Sequence, residues 1–170
     1  MKNFKLEVFT DYVCPWCYLG DARVKNLKKA YEIDIELIHF PLHPDTPVEG
    51  RKLLDLFRST QDDIDKKNQN MSALMKKEGL PFNDRVYTFN SRLAQEIGVW
   101  AEKLDHSTSI HDNFFEAYFV HGLNIGLENV ILEIFHELED EEIMKLKGYQ
   151  IREKVKNYIK NSLLISVVFL

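Results

Sequence analysis

Two cysteines occur in the chain, Cys14 and Cys17, with Pro15 and Trp16 between them. A thiol can attack a disulfide, bind a metal or sit inert in a core, so the surroundings have to decide. Before the pair, Lys5-Leu6-Glu7-Val8-Phe9 alternates polar and apolar, the pattern of a half-buried strand. After it comes an amphipathic run over residues 18–31. The pair therefore lies where a strand hands over to a helix. A thiol at a helix start meets free backbone N–H groups and the positive end of the helix dipole, and both favour the thiolate. A second thiol one turn on is within reach to break a mixed disulfide. Pro15 suits the first helical turn, where no N–H is needed from it.

Other uses of two cysteines fit less well. A simple buried pair would not explain the proline, the tryptophan and the helix start together. A zinc site would need His39 and His43 as its second half, but Pro41 and Pro44 break the helix on which such a histidine pair sits, and no second C-x-x-C is present. A permanent structural disulfide disagrees with the tight loop and with a reducing compartment. The pair is read as redox-active.

The composition narrows the class. A chain of 170 residues can bury one sizeable core, and 45% hydrophobic with 29% charged residues is ordinary for a soluble globular protein. A net charge of −5 and a pI near 5.7 speak against a nucleic-acid surface. Residues 1–9 carry no continuous apolar stretch of the kind a signal peptide needs, and the apolar run at 163–170 is too short to cross a bilayer. A cytoplasmic location, with no membrane and no nucleic-acid partner, is the expectation.

The elements that must position the cysteines follow in order. Residues 4–10 form a strand, and Asp11-Tyr12-Val13 is the turn that delivers Cys14. The helix after it is expected to bury Val24, Leu27 and Tyr31 and to expose Arg23, Lys25, Lys28 and Lys29. Residues 33–38 alternate again as a second strand. Strand, helix, strand is a βαβ unit, which favours parallel pairing. Pro41, Pro44 and Pro47 make a stiff loop that leaves the sheet. From there to about residue 140 the pattern is helical: 52–57, then a polar, solvent-facing helix over 61–78, then 88–104 with Thr88 as its cap and Phe89, Leu93, Ile97, Trp100 and Leu104 as its stripe. Helices over 107–120, 128–138 and 140–161 follow. Trp100 and the aromatic group from Phe114 to Phe119 are read as core. His106, His111, His121 and His136 are placed on helix surfaces or ends, and the acidic run at 137–142 is a solvated turn and helix start.

At this point the residues resemble a known family. The stretch Phe9-Thr10-Asp11-Tyr12-Val13-Cys14-Pro15-Trp16-Cys17-Tyr18-Leu19-Gly20 is similar to the active-site segment of DsbA-like oxidoreductases of the FrnE subgroup. His43-Pro44-Asp45-Thr46-Pro47-Val48-Glu49-Gly50 is similar to that subgroup's proline-rich loop. Thr88-Phe89-Asn90-Ser91-Arg92-Leu93-Ala94 and Phe115-Glu116-Ala117-Tyr118-Phe119 resemble two of its helices, and Asn124-Ile125-Gly126 fits a following turn. The resemblance runs to about residue 160.

The resemblance implies an α/β thioredoxin-like fold with a helical insertion: residues 1–46 and 139–170 as the thioredoxin-like part, 47–138 as the insertion. It implies thiol–disulfide exchange, with Cys14 attacking, Cys17 resolving and Pro15 and Trp16 completing the motif. The implied partners are protein or small-molecule thiols and disulfides. No cofactor or metal is implied beyond the cysteine pair, with glutathione as a redox partner. Trp16 offers no hydrogen bond of the kind a histidine there would, so a weaker oxidant than DsbA itself is expected. Hydroxychromene-carboxylate isomerases and kappa-class glutathione transferases share the fold but usually carry a serine-type position here. Cys17 separates the two readings, with a glutathione-dependent isomerase or transferase as the alternative and an inactive truncated fold as a third.

One departure concerns the C-terminal part. The family places a Gly-Val-Pro-like tripeptide with a cis-proline opposite the cysteines, and no proline follows Pro81 here. The expectation is a fold whose C-terminal strand and helix are incomplete, with impaired activity. It includes an open sheet edge through which dimers can form. Residues 163–170 read as an out-of-frame ending. One permitted codon choice for 164–170, read from its third base, spells Asn-Ile-Ser-Gly-Val-Pro. A genuine short strand is the other reading of that run.

Overall fold

A computed structural model of the protein describes residues 4–102 and 107–137. The expected helix over 140–161, the apolar run at 163–170, Leu104, His106 and the side chain of His136 lie outside what it describes.

Strand β1 (Phe4–Thr10), helix α1 (Pro15–Ala30) and strand β2 (Ile33–His39) form the anticipated βαβ unit. β1 and β2 pair in parallel, from Phe4 opposite Ile33 to Thr10 opposite His39. The ladder is prolonged by the Phe40 N–H, which donates to the Thr10 carbonyl at 2.9 Å. The proline loop then leaves the sheet.

The expected wholly helical middle is corrected by a two-residue ladder. β3 (Arg51–Lys52) pairs antiparallel with β4 (Tyr87–Thr88), so Thr88 lies opposite Arg51 and caps no helix. Between them run α2 (Leu53–Phe57) and α3 (Gln61–Lys77). α4 (Arg92–Ala101) starts four residues later than its periodicity suggested. The reason is local: Tyr87 and Thr88 are types that suit a strand, and the Asn90 carboxamide oxygen accepts the Arg92 N–H at 3.0 Å, satisfying a free donor of the first turn. α5 (Ser107–Phe119) and α6 (Glu128–Glu137) complete the described elements.

α3 begins with a reciprocal cap. The Thr60 hydroxyl accepts the Asp63 N–H while the Asp63 carboxylate accepts the Thr60 N–H. Its composition is polar, yet one stripe, Ile64, Asn68, Met71 and Met75, is buried, which corrects the expectation of a solvent-facing helix. Four residues at helical spacing suffice to seat it. Arg23 on α1 ties it further, 2.8 Å from Glu78.

The core is aromatic. Tyr12, Phe114, Phe115 and Phe119 are fully buried, and the Tyr18 ring stacks on Phe119 with centroids 4.9 Å apart. The reading of the α5 aromatics as core therefore holds. The packing also explains a correction in α1. Its first turns, with Tyr18 and Leu19, lie against α5 rings, whereas Leu27 and Tyr31 reach past them and are exposed. His111, placed on a surface by its sequence, is buried between Tyr12 and Phe115, with ring centroids 5.2 and 4.8 Å away. His121 is exposed, as expected. Gly98 admits α4 to this core, because a Cβ there would run into the Tyr12 hydroxyl and the His39 ring.

Candidate active site

The turn after β1 is closed by the Cys14 N–H, which donates to the Asp11 carbonyl at 3.0 Å. Cys14 then takes the N-cap position of α1, in extended backbone conformation, with Pro15 in the first turn. Its carbonyl accepts the N–H groups of Cys17 at 3.0 Å and Tyr18 at 3.2 Å. Strand, turn and helix start thus deliver the pair as the sequence implied. Both thiols are free and partly buried, and Trp16 stands out into solvent, 62% exposed.

The two thiols differ in acidity. The neighbouring Cys17 thiol favours the Cys14 thiolate, and with the N–H groups of Cys17 and Trp16 this outweighs burial and the Asp11 charge; the Cys17 thiol also lies 4.0 Å from the Phe9 carbonyl. The Cys14 pKa falls to about 7. Cys17 is the converse: the neighbouring Cys14 sulfur and burial push it far above the ordinary thiol range. A low-pKa thiol beside one that keeps its proton is an asymmetric pair, able to attack with one sulfur and hold the other in reserve.

Cys14, Pro15 and Trp16 border an open groove of about 470 Å³. Its walls are mainly apolar: Val13 and Leu42 beside the cysteines, Leu53 and Phe57 from α2, and Met71 and Leu74 from α3. Lys67, His43 and Arg85 add positive or protonatable groups. The aromatic group from Phe114 to Phe119 does not line it.

Several residues that hold this site carry no obvious mark in the sequence. Asp11 is 1% exposed. One carboxylate oxygen accepts the Val13 N–H at 3.2 Å and the Gln95 amide at 3.0 Å; the other accepts the Leu42 N–H at 2.8 Å. Arg85 donates to the Val13 carbonyl at 3.4 Å and lies over the Phe119 ring. For Asp11, the Asp-x-Val spacing of a side-chain turn was the available signal. For Arg85 and Gln95 there was none, because their partners lie 72 and 84 residues away. Among the described residues, no group of three or more His, Cys, Asp or Glu could hold a metal ion.

The uncharacterized protein YwbO of Bacillus subtilis (strain 168) is 22% identical over 143 residues, 78% of this chain, and the match spans 65% of that relative's length. Among solved structures, a probable DsbA oxidoreductase of Streptomyces coelicolor superposes with a TM-score of 0.73 at 17% identity, covering 96% of this chain and 76% of the other. The cytosolic disulfide reductase DsbM of Pseudomonas aeruginosa gives 0.58 at 18% identity, over 96% and 80%. These likenesses show the fold: α/β, thioredoxin-like, with a helical insertion. The family model described as a DSBA-like thioredoxin domain matches residues 5–160, and the chain belongs to that family.

Proposed function

We propose that the protein is a thiol–disulfide oxidoreductase of the FrnE type, with Cys14 as the attacking thiol and Cys17 as the resolving one. The observation that carries this reading is the asymmetry of the pair: Cys14, at the N-cap of α1 and at the mouth of the groove, has its pKa lowered to about 7 by the Cys17 thiol. In reduction, the Cys14 thiolate attacks one sulfur of a substrate disulfide, a Cys14–substrate bond forms, and the other substrate sulfur leaves as thiolate. Cys17, once deprotonated, attacks Cys14 and expels the second substrate thiolate. The substrate disulfide is reduced by two electrons and the cysteine pair is oxidised to its own disulfide.

The reducing direction and a cytoplasmic location are part of the proposal, supported by the similar Pseudomonas protein described as a cytosolic disulfide reductase. A further structure of that reductase is described with GSH. Glutathione is accordingly the thiol we propose for returning the pair to its reduced form. Among the described residues no helix is long and apolar enough to cross a membrane. The proposal assigns the cysteines to a thioredoxin-like unit of residues 1–46 and 139–170, interrupted by 47–138.

Reduction of insulin disulfides tests the roles. Cys14→Ser should abolish turnover, and Cys17→Ser should accumulate mixed disulfides that resolve on non-reducing gels. Normal turnover by Cys17→Ser would overturn the dithiol mechanism.

A further inference from the structure

Cys17 borders a second cavity, of about 360 Å³, that Cys14 does not line. Val8 and Thr10 of β1 and Leu37 of β2 form part of its wall, and its polar groups include Asp21 and Lys25 of α1, His111 of α5 and Glu102 after α4. Asp21 is four residues beyond Cys17, so the two side chains share one face of α1. His111 is 4% exposed. Its Nδ1 is 3.2 Å from the Tyr12 hydroxyl, which fixes the ring. Its Nε2 is buried and faces Asp21 Oδ1 at 3.3 Å, an ion-pair distance. A buried imidazole held between a hydroxyl and a carboxylate, at the wall of a cavity it shares with a thiol, asks for a role.

The chemistry supplies one. In the free dithiol, the neighbouring Cys14 sulfur keeps the Cys17 thiol protonated, and that thiol also lies 4.0 Å from the Phe9 carbonyl. In the mixed disulfide the Cys14 sulfur is covalently occupied and no longer a thiolate, so the Cys17 proton has to leave in another direction before Cys17 can attack. We propose that His111, with Asp21 as its counter-ion, accepts the Cys17 proton through solvent in this cavity when the mixed disulfide is resolved. The inference rests on the disulfide-exchange reading. The proton passes from Cys17 Sγ to His111; the Cys17–Cys14 bond forms as the Cys14–substrate bond breaks; the leaving thiolate or solvent later takes the proton from the ring. An imidazole can take and release a proton near neutral pH, and a carboxylate beside it stabilises the cation.

The charged groups around His111 are compatible with this. Asp21 is held ionised: burial pushes its carboxyl up, but the His111 ring and the Lys25 ammonium outweigh that and bring it below the usual range. Lys25 is itself paired with Asp21 at 2.7 Å and with Asp112 of α5. Glu102, after α4, is engaged by His39 of β2 at 3.0 Å. Lys28 and Glu36 border the same cavity. The Tyr12 hydroxyl stays protonated, since burial and the Glu102, Asp21 and Asp112 carboxylates raise it.

The reaction of the reduced protein with dithionitrobenzoate separates the steps. Attack by Cys14 releases one coloured thiolate, and resolution by Cys17 releases the second. His111→Gln should leave the first phase unchanged and slow the second at least tenfold at neutral pH. The deficit should close as pH rises and hydroxide takes over. Asp21→Asn should slow the same phase by a smaller factor, and Asp21→Glu should restore it. A second phase of unchanged rate in folded His111→Gln, or a slowing of both phases alike at every pH, overturns the inference. If His111→Gln does not fold, Asp21→Asn decides by the same two criteria. Absence of the first phase in the unsubstituted protein would instead sink the exchange reading, and the inference with it.

Discussion

The Asp11 carboxylate accepts the backbone N–H of Leu42 at 2.8 Å across the gap between the turn that carries Cys14 and the proline loop. The same side chain accepts Val13 N–H and the Gln95 amide of α4. One buried charge therefore ties three segments together at the edge of the groove, and it is satisfied by three donors, as a buried carboxylate has to be. It also acts on the chemistry, because its negative charge raises both thiol pKa values.

Asp11→Asn tests both effects at once. The amide keeps one acceptor and turns the other position into a donor facing a donor. A loss of roughly 1.5–3 kcal/mol of stability is expected, the usual range for a hydrogen bond to a charged group. The Cys14 thiol should become more acidic, since a raising charge is removed. Urea unfolding and thiolate absorbance against pH measure the two. A variant as stable as the native protein would show that the tie to Leu42 holds nothing in place.

Alkylation by iodoacetamide should separate the cysteines. Cys14 should react with a half-maximal rate near pH 7, and well before Cys17. Because the Cys17 thiol is the main cause of the lowered Cys14 pKa, Cys17→Ala should raise it, while Cys17→Ser, which keeps a donor, should hold it low. A pKa unmoved in both variants would transfer the credit to the helix N-terminus. The linked sign for stability is fixed by the direction of the shift. Folding lowers the Cys14 pKa, so the reduced protein has this contribution in full above the ordinary thiol range. It loses the contribution as pH falls through about 7.

The same acidity has an electrochemical consequence. Below the Cys14 pKa, reduction of the disulfide takes up two protons with two electrons, and the potential should fall by about 59 mV per pH unit. Above it only Cys17 is protonated, and the slope should halve to about 30 mV per pH unit. Equilibration with glutathione at a series of pH values should place the break near 7. A single slope from pH 5 to 9 would contradict the assigned acidity.

How much of this was legible in the chain follows the range of the interactions. β1, α1, β2 and the cysteines at the helix start rest on neighbours in sequence, and the alternation of residues 5–9 and 33–38 was enough to find them. The aromatic core of α5 was visible for the same reason. What was hidden depends on distant pairing. Thr88 looks like a cap until Arg51 is opposite it. Leu27 and Tyr31 look buried until α1 is seen to outrun the rings it packs on. His111 is indistinguishable from a surface histidine until Tyr12, 99 residues earlier, is placed on its Nδ1. A pattern along one element records which face is apolar but not what meets it, so the pieces of the site contributed by α3, α4 and α5 could be read only after folding.

The groove makes a prediction about substrates. Phe57 of α2 lies at its wall, half out in solvent, with Lys67 over its ring at 4.4 Å. Met71 and Leu74 of α3 also line it. A disulfide whose cysteine is followed by leucine can bury that side chain here, and one followed by serine cannot. Covering part of a large apolar side chain is worth about 1–2 kcal/mol, and 1.4 kcal/mol corresponds to tenfold in rate or affinity. The native protein should therefore prefer the leucine-flanked peptide disulfide by about that factor in kcat/KM. Phe57→Ala should remove most of the preference by slowing the leucine peptide alone, and Phe57→Leu should retain it. Because Phe57 is exposed, neither variant should shift the thermal midpoint far. Equal slowing on both peptides would mean that Phe57 shapes the access to Cys14 and does not contact the residue beside the substrate sulfur.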